Sequence, residues 1–300
     1  MTFSRPPIII DLPMSKKLRV ALVSAEISPF AGSGELGDFC SALAARLPAL
    51  GIRISLFLPK YATPGIECLE SVPVVTDLQV PIGQEKTKAG IYEVRGDDLS
   101  LYFVDHPKYF LRENIYGTAT GDYLDNDERF IFFSRAIIEF LRHSGRPPDI
   151  LHCQDWPSAL VPVLLRTHYG GEPLFQNTAT LLTLHDLSRQ GEFPAESLAL
   201  TGLSWNYFTP DRLSMNGKFN FLKAGIVFAD LVNRVEPADP PGTGAGKHPP
   251  GLDEVLDKRG LTLAAIRNGR DEASWKAAAR EYRELYLKAR QLRRGGSIVN

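Results

Sequence analysis

The chain has 300 residues, 44% hydrophobic and 23% charged, and its 34 basic side chains nearly balance 35 acidic ones for a net charge of −1. This is the composition of an ordinary soluble globular protein, and it gives no electrostatic case for binding nucleic acid or an anionic membrane. Cys40, Cys68 and Cys153 are scattered, with no Cys-x-x-Cys spacing, which argues against a disulfide framework or a zinc site and for a reducing compartment; a cytoplasmic location is expected by default.

Residues 1–16 read as an extension: Ile8, Ile9 and Ile10 are too few for a signal-peptide core and sit among Pro6, Pro7 and Pro13. No apolar run reaches membrane-spanning length. The run 18–24 predicts a buried strand. A Gly-rich loop, 31–37, follows, and Asp38 is expected to cap a helix over 39–50 that stops at Gly51. Residues 52–58 are the next strand; strand, helix and strand at this spacing make a βαβ unit of a parallel sheet. Residues 71–102 alternate short β-rich runs with Gly, Asp and Pro and read as hairpins or an inserted meander. A helix over 128–143, a short strand over 150–152, a helix over 158–169, a strand over 178–184, a helix over 217–229 and a strand over 230–235 continue the alternation. That pattern predicts an α/β fold built on a doubly wound, Rossmann-like parallel sheet. Residues 237–250 are dense in Pro and Gly and read as a loop or linker. A short helix over 252–258 and a strand over 261–266 precede a long helix over 274–294. On it Tyr282, Leu285, Tyr286, Ala289 and Leu292 fall on one stripe.

Two segments carry the chemistry. Asp149-Ile-Leu-His-Cys-Gln-Asp-Trp-Pro157 and Thr183-Leu-His-Asp-Leu-Ser-Arg-Gln-Gly191 each place a histidine and a carboxylate at the C-terminal end of an apolar run. In an open α/β sheet, ligands bind outside the carboxyl ends of the strands. His152 with Asp155, and His185 with Asp186, therefore read either as one polar cleft or as satisfied strand-end groups, with Asp155 as a helix cap before Pro157. The Gly-rich loop reads either as a tight turn or as a phosphate cradle at a helix N-terminus. No lysine follows its glycines, and Glu35 places a negative charge in it. The His and Asp spacings match no usual metal-ligand pattern, and no Gly-x-Ser-x-Gly elbow occurs, so neither a metal centre nor a serine hydrolase is expected.

Further segments stand out: Val23-Ser-Ala-Glu-Ile-Ser-Pro29, Asp105-His-Pro-Lys-Tyr-Phe110, Ile115-Tyr-Gly117, Gly121-Asp-Tyr-Leu-Asp-Asn126 and Asn216-Gly-Lys-Phe-Asn-Phe-Leu-Lys-Ala-Gly225. Together with His152-Cys-Gln-Asp-Trp156 and residues 183–191, they make the chain resemble the bacterial glycogen synthases, or starch synthases, of the ADP-glucose-using kind. The resemblance implies one half of a fold in which two Rossmann-like domains face each other across a cleft. It also implies transfer of glucose from ADP-glucose to an α-1,4-glucan with retained configuration. No cofactor beyond that donor is implied, and the partners implied are an α-glucan, a full-length synthase or a second copy of this chain. By resemblance, Asp155 and His185 contact the transferring glucose, with Tyr116, Asp125, Asn126, His152, Asp186 and Gln190 around the substrate and Gly34, Glu35 and Asp38 on the donor loop.

Departures accompany the resemblance. The family's loop begins with Lys and carries a second Gly, where this chain has Gly32 and Glu35; Asp186 stands where the family has Asn. A carboxylate beside a diphosphate adds repulsion on the order of several kcal/mol at low effective dielectric. Ala265-Ile-Arg-Asn-Gly-Arg-Asp271 resembles the end of the family's first domain, and residues 274–286 resemble its final helix. Nearly the whole second domain is missing between them. The expectation is a first domain over 17–271 with a closing helix and tail over 272–300, inactive as a transferase when alone. The rival readings are an enzyme completed by another subunit and a glucan-binding or regulatory partner.

Overall fold

The computed structural model describes residues 17–32, 34–112, 114–236 and 251–295. The expected extension at 1–16 and loop at 237–250 lie outside the described residues.

The apolar runs fold into a nine-stranded sheet. Its strands are β1 (Leu18–Val23), β2 (Ile52–Pro59), β3 (Val72–Ile82), β4 (Glu85–Val94), β5 (Leu99–Asp105), β6 (Ile150–Gln154), β7 (Ala179–Leu184), β8 (Leu231–Glu236) and β9 (Leu263–Arg267). They lie in the order β9-β8-β7-β6-β1-β2-β5-β4-β3. The chain passes from β1 to β2 on one side and later returns to lay β6 on the other, so β1 and β6 flank a topological switch point. A parallel sheet opens a ligand crevice at such a point. All residues of β6 and β7 are buried, as expected of central parallel strands covered on both faces. One face carries α1 (Glu35–Arg46) against the long α6 (Glu272–Arg294). The other carries α2 (Asn126–Ser144), α3 (Leu160–Thr167) and α4 (Phe221–Phe228), with α5 (Leu252–Asp257) beside α4.

Four sequence expectations need correction. The sheet is not wholly parallel: β4 runs antiparallel to both β5 and β3, so the expected meander extends the main sheet at one edge. Helix α1 starts at Glu35 behind an extended Gly34, and Asp38 lies in its first turn, where its backbone N–H already bonds Gly34. The expected helix at 217–229 starts only at Phe221, capped by the Asn220 side chain. Before it, Ser214–Met215 and Lys218–Asn220 form a hairpin through Asn216 and Gly217, both with φ > 0 (51° and 74°). Asn-Gly is the pair that a type I′ turn demands. Strand β6 runs two residues past the expected 150–152, so Asp155 stands just beyond its end and His152 lies inside the sheet.

The closing helix packs back on the domain as the stripe predicts. Tyr282 and Tyr286 are fully buried (0% exposed), Ala278, Ala279 and Ala289 are buried, and Trp275 and Leu285 are half-buried against the core. Asp271 and Ser274 close a capping box at its start. Only Asn268 to Asp271 separate β9 from α6.

Candidate functional site

Three strand ends build the site. Past β1, the Ser24 hydroxyl donates to the Glu26 carbonyl and accepts from the Glu26 N–H, which turns Glu26 toward the crevice. Past β6, Asp155 takes up φ +50°, a left-handed conformation that a non-glycine residue adopts at a cost. Past β7 comes His185, whose backbone N–H donates to Asp155 Oδ1 at 2.7 Å and whose Nε2 lies 2.9 Å from Gln154 Oε1. The Phe39 ring of α1 meets the His185 ring edge-on, centroids 4.5 Å apart. These groups surround a pocket of about 220 Å³, which Gly34, Glu35, Leu36, Tyr116, Trp156 and Asp186 complete together with Arg189.

The pocket is acidic and its charges are perturbed. Burial pushes the Asp155 carboxyl up to about 7, against the pull of the His185 and Asp186 backbone N–H groups and with the push of the Asp186 and Glu26 charges. Burial also raises Glu26, partly offset by the hydrogen bond from the Tyr116 hydroxyl (2.8 Å) and by the Arg189 charge. His185 is held down at about 3 by burial, so its ring is neutral at pH 7. Among the described residues, four carboxyl groups thus line the pocket against a single cation, Arg189. That cation is engaged: its Nη2 donates to both oxygens of Asp122, and its guanidinium lies over the Tyr116 ring.

The structure brings together Gly34, Glu35, Tyr116, Asp155, His185 and Asp186. Asn126 and Gln190 line an adjoining hollow instead. There Asn126 donates to the Tyr116 carbonyl, while Gln190 donates to the Leu187 carbonyl and accepts from Asn220. Asp38 is exposed on α1 outside the pocket, and Asp125 is paired with Arg112 at 2.6 Å. His152 does not reach the pocket. It is fully buried, with Nδ1 2.9 Å from the Tyr286 hydroxyl and Nε2 2.7 Å from the Thr183 hydroxyl, and burial holds it neutral. Its place is under the site, where it ties α6 to β7. Glu26, Trp156 and Arg189 are pocket residues that the candidate set lacked. Glu26 was legible as a carboxylate just past an apolar strand.

Gly191 holds the pocket wall in place. At φ +62°, a Cβ there would lie 2.5 Å from the Trp156 ring. Gly191→Ala is therefore expected to cost about 1–3 kcal/mol through strain and displacement of the indole. Urea denaturation followed by tryptophan fluorescence checks it, and an unchanged midpoint with unchanged emission would contradict it.

Among the described residues no helix is long and apolar enough to cross a membrane. Residues 19–238 match the family described as the starch synthase catalytic domain. The chain is 39% identical over 259 residues to a glycogen synthase of Koribacter versatilis, covering 86% of this chain and 53% of that protein. It is 38% identical over 272 residues to a glycogen synthase of Thermodesulfovibrio yellowstonii, covering 86% and 55%. Among solved structures, it is similar to the catalytic domain of starch synthase IV from Arabidopsis thaliana bound to ADP and acarbose. The TM-score there is 0.73 at 29% identity, covering 87% of this chain and 53% of the other. The chain spans about half the length of the curated relatives it matches. The match across most of its length, on a sheet whose strand ends carry Asp155 and His185, makes this chain a member of the starch synthase catalytic domain family.

Proposed function

We propose that this chain is a glucan-binding relative of the ADP-glucose-dependent synthases and that it does not transfer glucose by itself. The observation that carries the reading is the acidic pocket at the ends of β1, β6 and β7, whose one cation among the described residues is already tied to Asp122. Hydroxyl-rich sugars offer donors to Glu26, Asp155 and the neutral His185. A pocket of a few placed polar groups on an apolar wall suits such a ligand. A nucleotide diphosphate meets the opposite: Glu35 stands at the N-terminus of α1, where a helix otherwise favours an anion, and position 32 supplies no cation. Transfer requires leaving-group charge to be stabilised as it develops. Among the described residues, the groups lining this pocket do not provide for it.

The test is incorporation of labelled glucose from ADP-glucose into glycogen by the purified chain, beside co-sedimentation of the chain with glycogen. The expected result is co-sedimentation that Asp155→Ala weakens, and no turnover. Restoring Gly32→Lys with Glu35→Gly is expected to leave turnover absent. Gly32 sits at φ +83°, and a side chain there would run into the Glu26 carboxylate. Turnover by the purified chain, abolished by Asp155→Ala, would overturn the reading and favour an enzyme completed by a second copy.

A further inference from the structure

The pocket has a neighbour. On the far side of Arg189 lies a hollow of about 400 Å³, lined by Asp122, Tyr123, Ser188, Gln190 and Phe193. Trp156 and Arg189 line both spaces, so the arginine side chain stands as the partition between them. Its position is held from two sides. Nη2 donates to the two Asp122 oxygens at 3.1 and 3.0 Å, and the guanidinium carbon lies 4.9 Å from the Tyr116 ring centre. The ion pair is open to water, with 46% of the Arg189 and 66% of the Asp122 side chain exposed. Exposed pairs of this kind are weakly held and screened by salt. Asp122 itself sits on a short ladder pairing Gly117–Thr118 with Gly121–Asp122.

Both hollows have the same makeup. The first offers Tyr116 and Trp156 with carboxylates; the second offers Tyr123, Phe193 and Trp156 with Ser188 and Asp122. Hydrogen-bonding groups set among aromatic side chains suit consecutive rings of one oligosaccharide, and the partition interrupts that path.

We propose that Arg189, held by Asp122, is a specificity-determining residue that confines the pocket to one sugar ring, and that releasing it joins the two hollows into a groove for adjoining rings. This rests on the glucan-binding reading above. The groove in the released state presents the Asp122 carboxylate and the Ser188 hydroxyl along its floor. Added salt, by screening the pair, favours the same release.

Calorimetric titration of the whole chain with glucose, maltose, maltotriose and maltotetraose tests this, for the parent and for Asp122→Asn and Arg189→Ala. Asp122→Asn is nearly isosteric at an exposed site, so it leaves folding intact even where Arg189→Ala removes packing over Tyr116. The parent is expected to bind all four sugars with less than about twofold change in affinity. Both variants are expected to gain about tenfold from glucose to maltotetraose, and the parent to move toward that profile in high salt. The same length profile in all three proteins would overturn the partition while leaving the glucan reading intact. Absence of binding by any sugar to any of the proteins would overturn the glucan reading and the partition with it.

Discussion

Asp155→Asn is expected to make this protein more stable at pH 8 and to bring little gain near pH 4. The Asp155 carboxyl is only 7% exposed, and burial raises it to about 7 in the folded chain. An aspartate in an unfolded chain titrates near ~3.9. Below that value both states are protonated and the residue imposes no pH-dependent penalty. Between about pH 4 and pH 7 the folded state keeps a proton that the unfolded state has released, so stability falls as pH rises. Above about 7 the loss is complete, on the order of 3–4 kcal/mol. Asparagine keeps an oxygen for the His185 N–H, tolerates the left-handed backbone at this position, and has no charge to bury. Urea denaturation of both proteins from pH 5 to pH 8 should therefore show a gap that widens by roughly 2–3 kcal/mol. A gap that stays flat would mean that Asp155 is ionised in the fold at no cost. The same substitution is expected to weaken the glucan binding proposed above, the usual relation between a strained site and the stability it gives up.

Cutting the chain after Asp271 is expected to remove cooperative folding. Tyr282 and Tyr286 are fully buried, which contributes roughly 1.5–3 kcal/mol each. Their hydroxyls also satisfy groups inside the sheet: Tyr286 faces His152 Nδ1 and Tyr282 accepts from Asn233 Nδ2 at 2.6 Å. Leaving those two polar side chains without partners adds about 1–3 kcal/mol each. The sum approaches the whole stability of a typical domain, about 5–15 kcal/mol. A finer version is Tyr286→Phe, which keeps the packing and removes one hydroxyl; it should cost about 1–3 kcal/mol. Thermal unfolding by circular dichroism checks both. A truncated chain that melts cooperatively at the parent's temperature would show that α6 is an appendage.

The sheet was legible because its central strands are short, largely apolar runs set off by turns, and two-sided burial favours that composition. The edge was less so: β3 is mostly exposed and carries Pro73 and Pro81, so no alternation marks its pairing with β4. The hairpin at Asn216-Gly217 was written in the sequence but masked by the apolar run that follows it into α4. At the site, Asp155 and His185 came together because strand ends of a parallel sheet converge. His152 misled for a local reason: the strand continues to Gln154, and an inward-facing residue of a central strand meets a covering helix, not solvent. Arg189 lay beyond sequence reasoning. Its placement depends on Asp122, 67 residues away, and on the Tyr116 ring of the same segment.

The support of His185 by a helix made late has a consequence for the order of assembly during translation. Phe39, which braces the His185 ring, is itself backed by Tyr282 and Trp275, with ring centroids 5.5 and 5.9 Å away. His152 waits for Tyr286 across 134 residues of sequence. At roughly 5–20 residues per second, that wait is on the order of ten seconds. For the part of it after β7 is made, a nascent chain that pairs β1, β6 and β7 is expected to carry an uncovered apolar face where α6 lies in the folded chain, and contacts this distant in sequence also close slowly. A nascent chain is therefore expected to expose that apolar face until α6 is made, and the bracing of His185 through Phe39 is complete only once Trp275 and Tyr282 are in place.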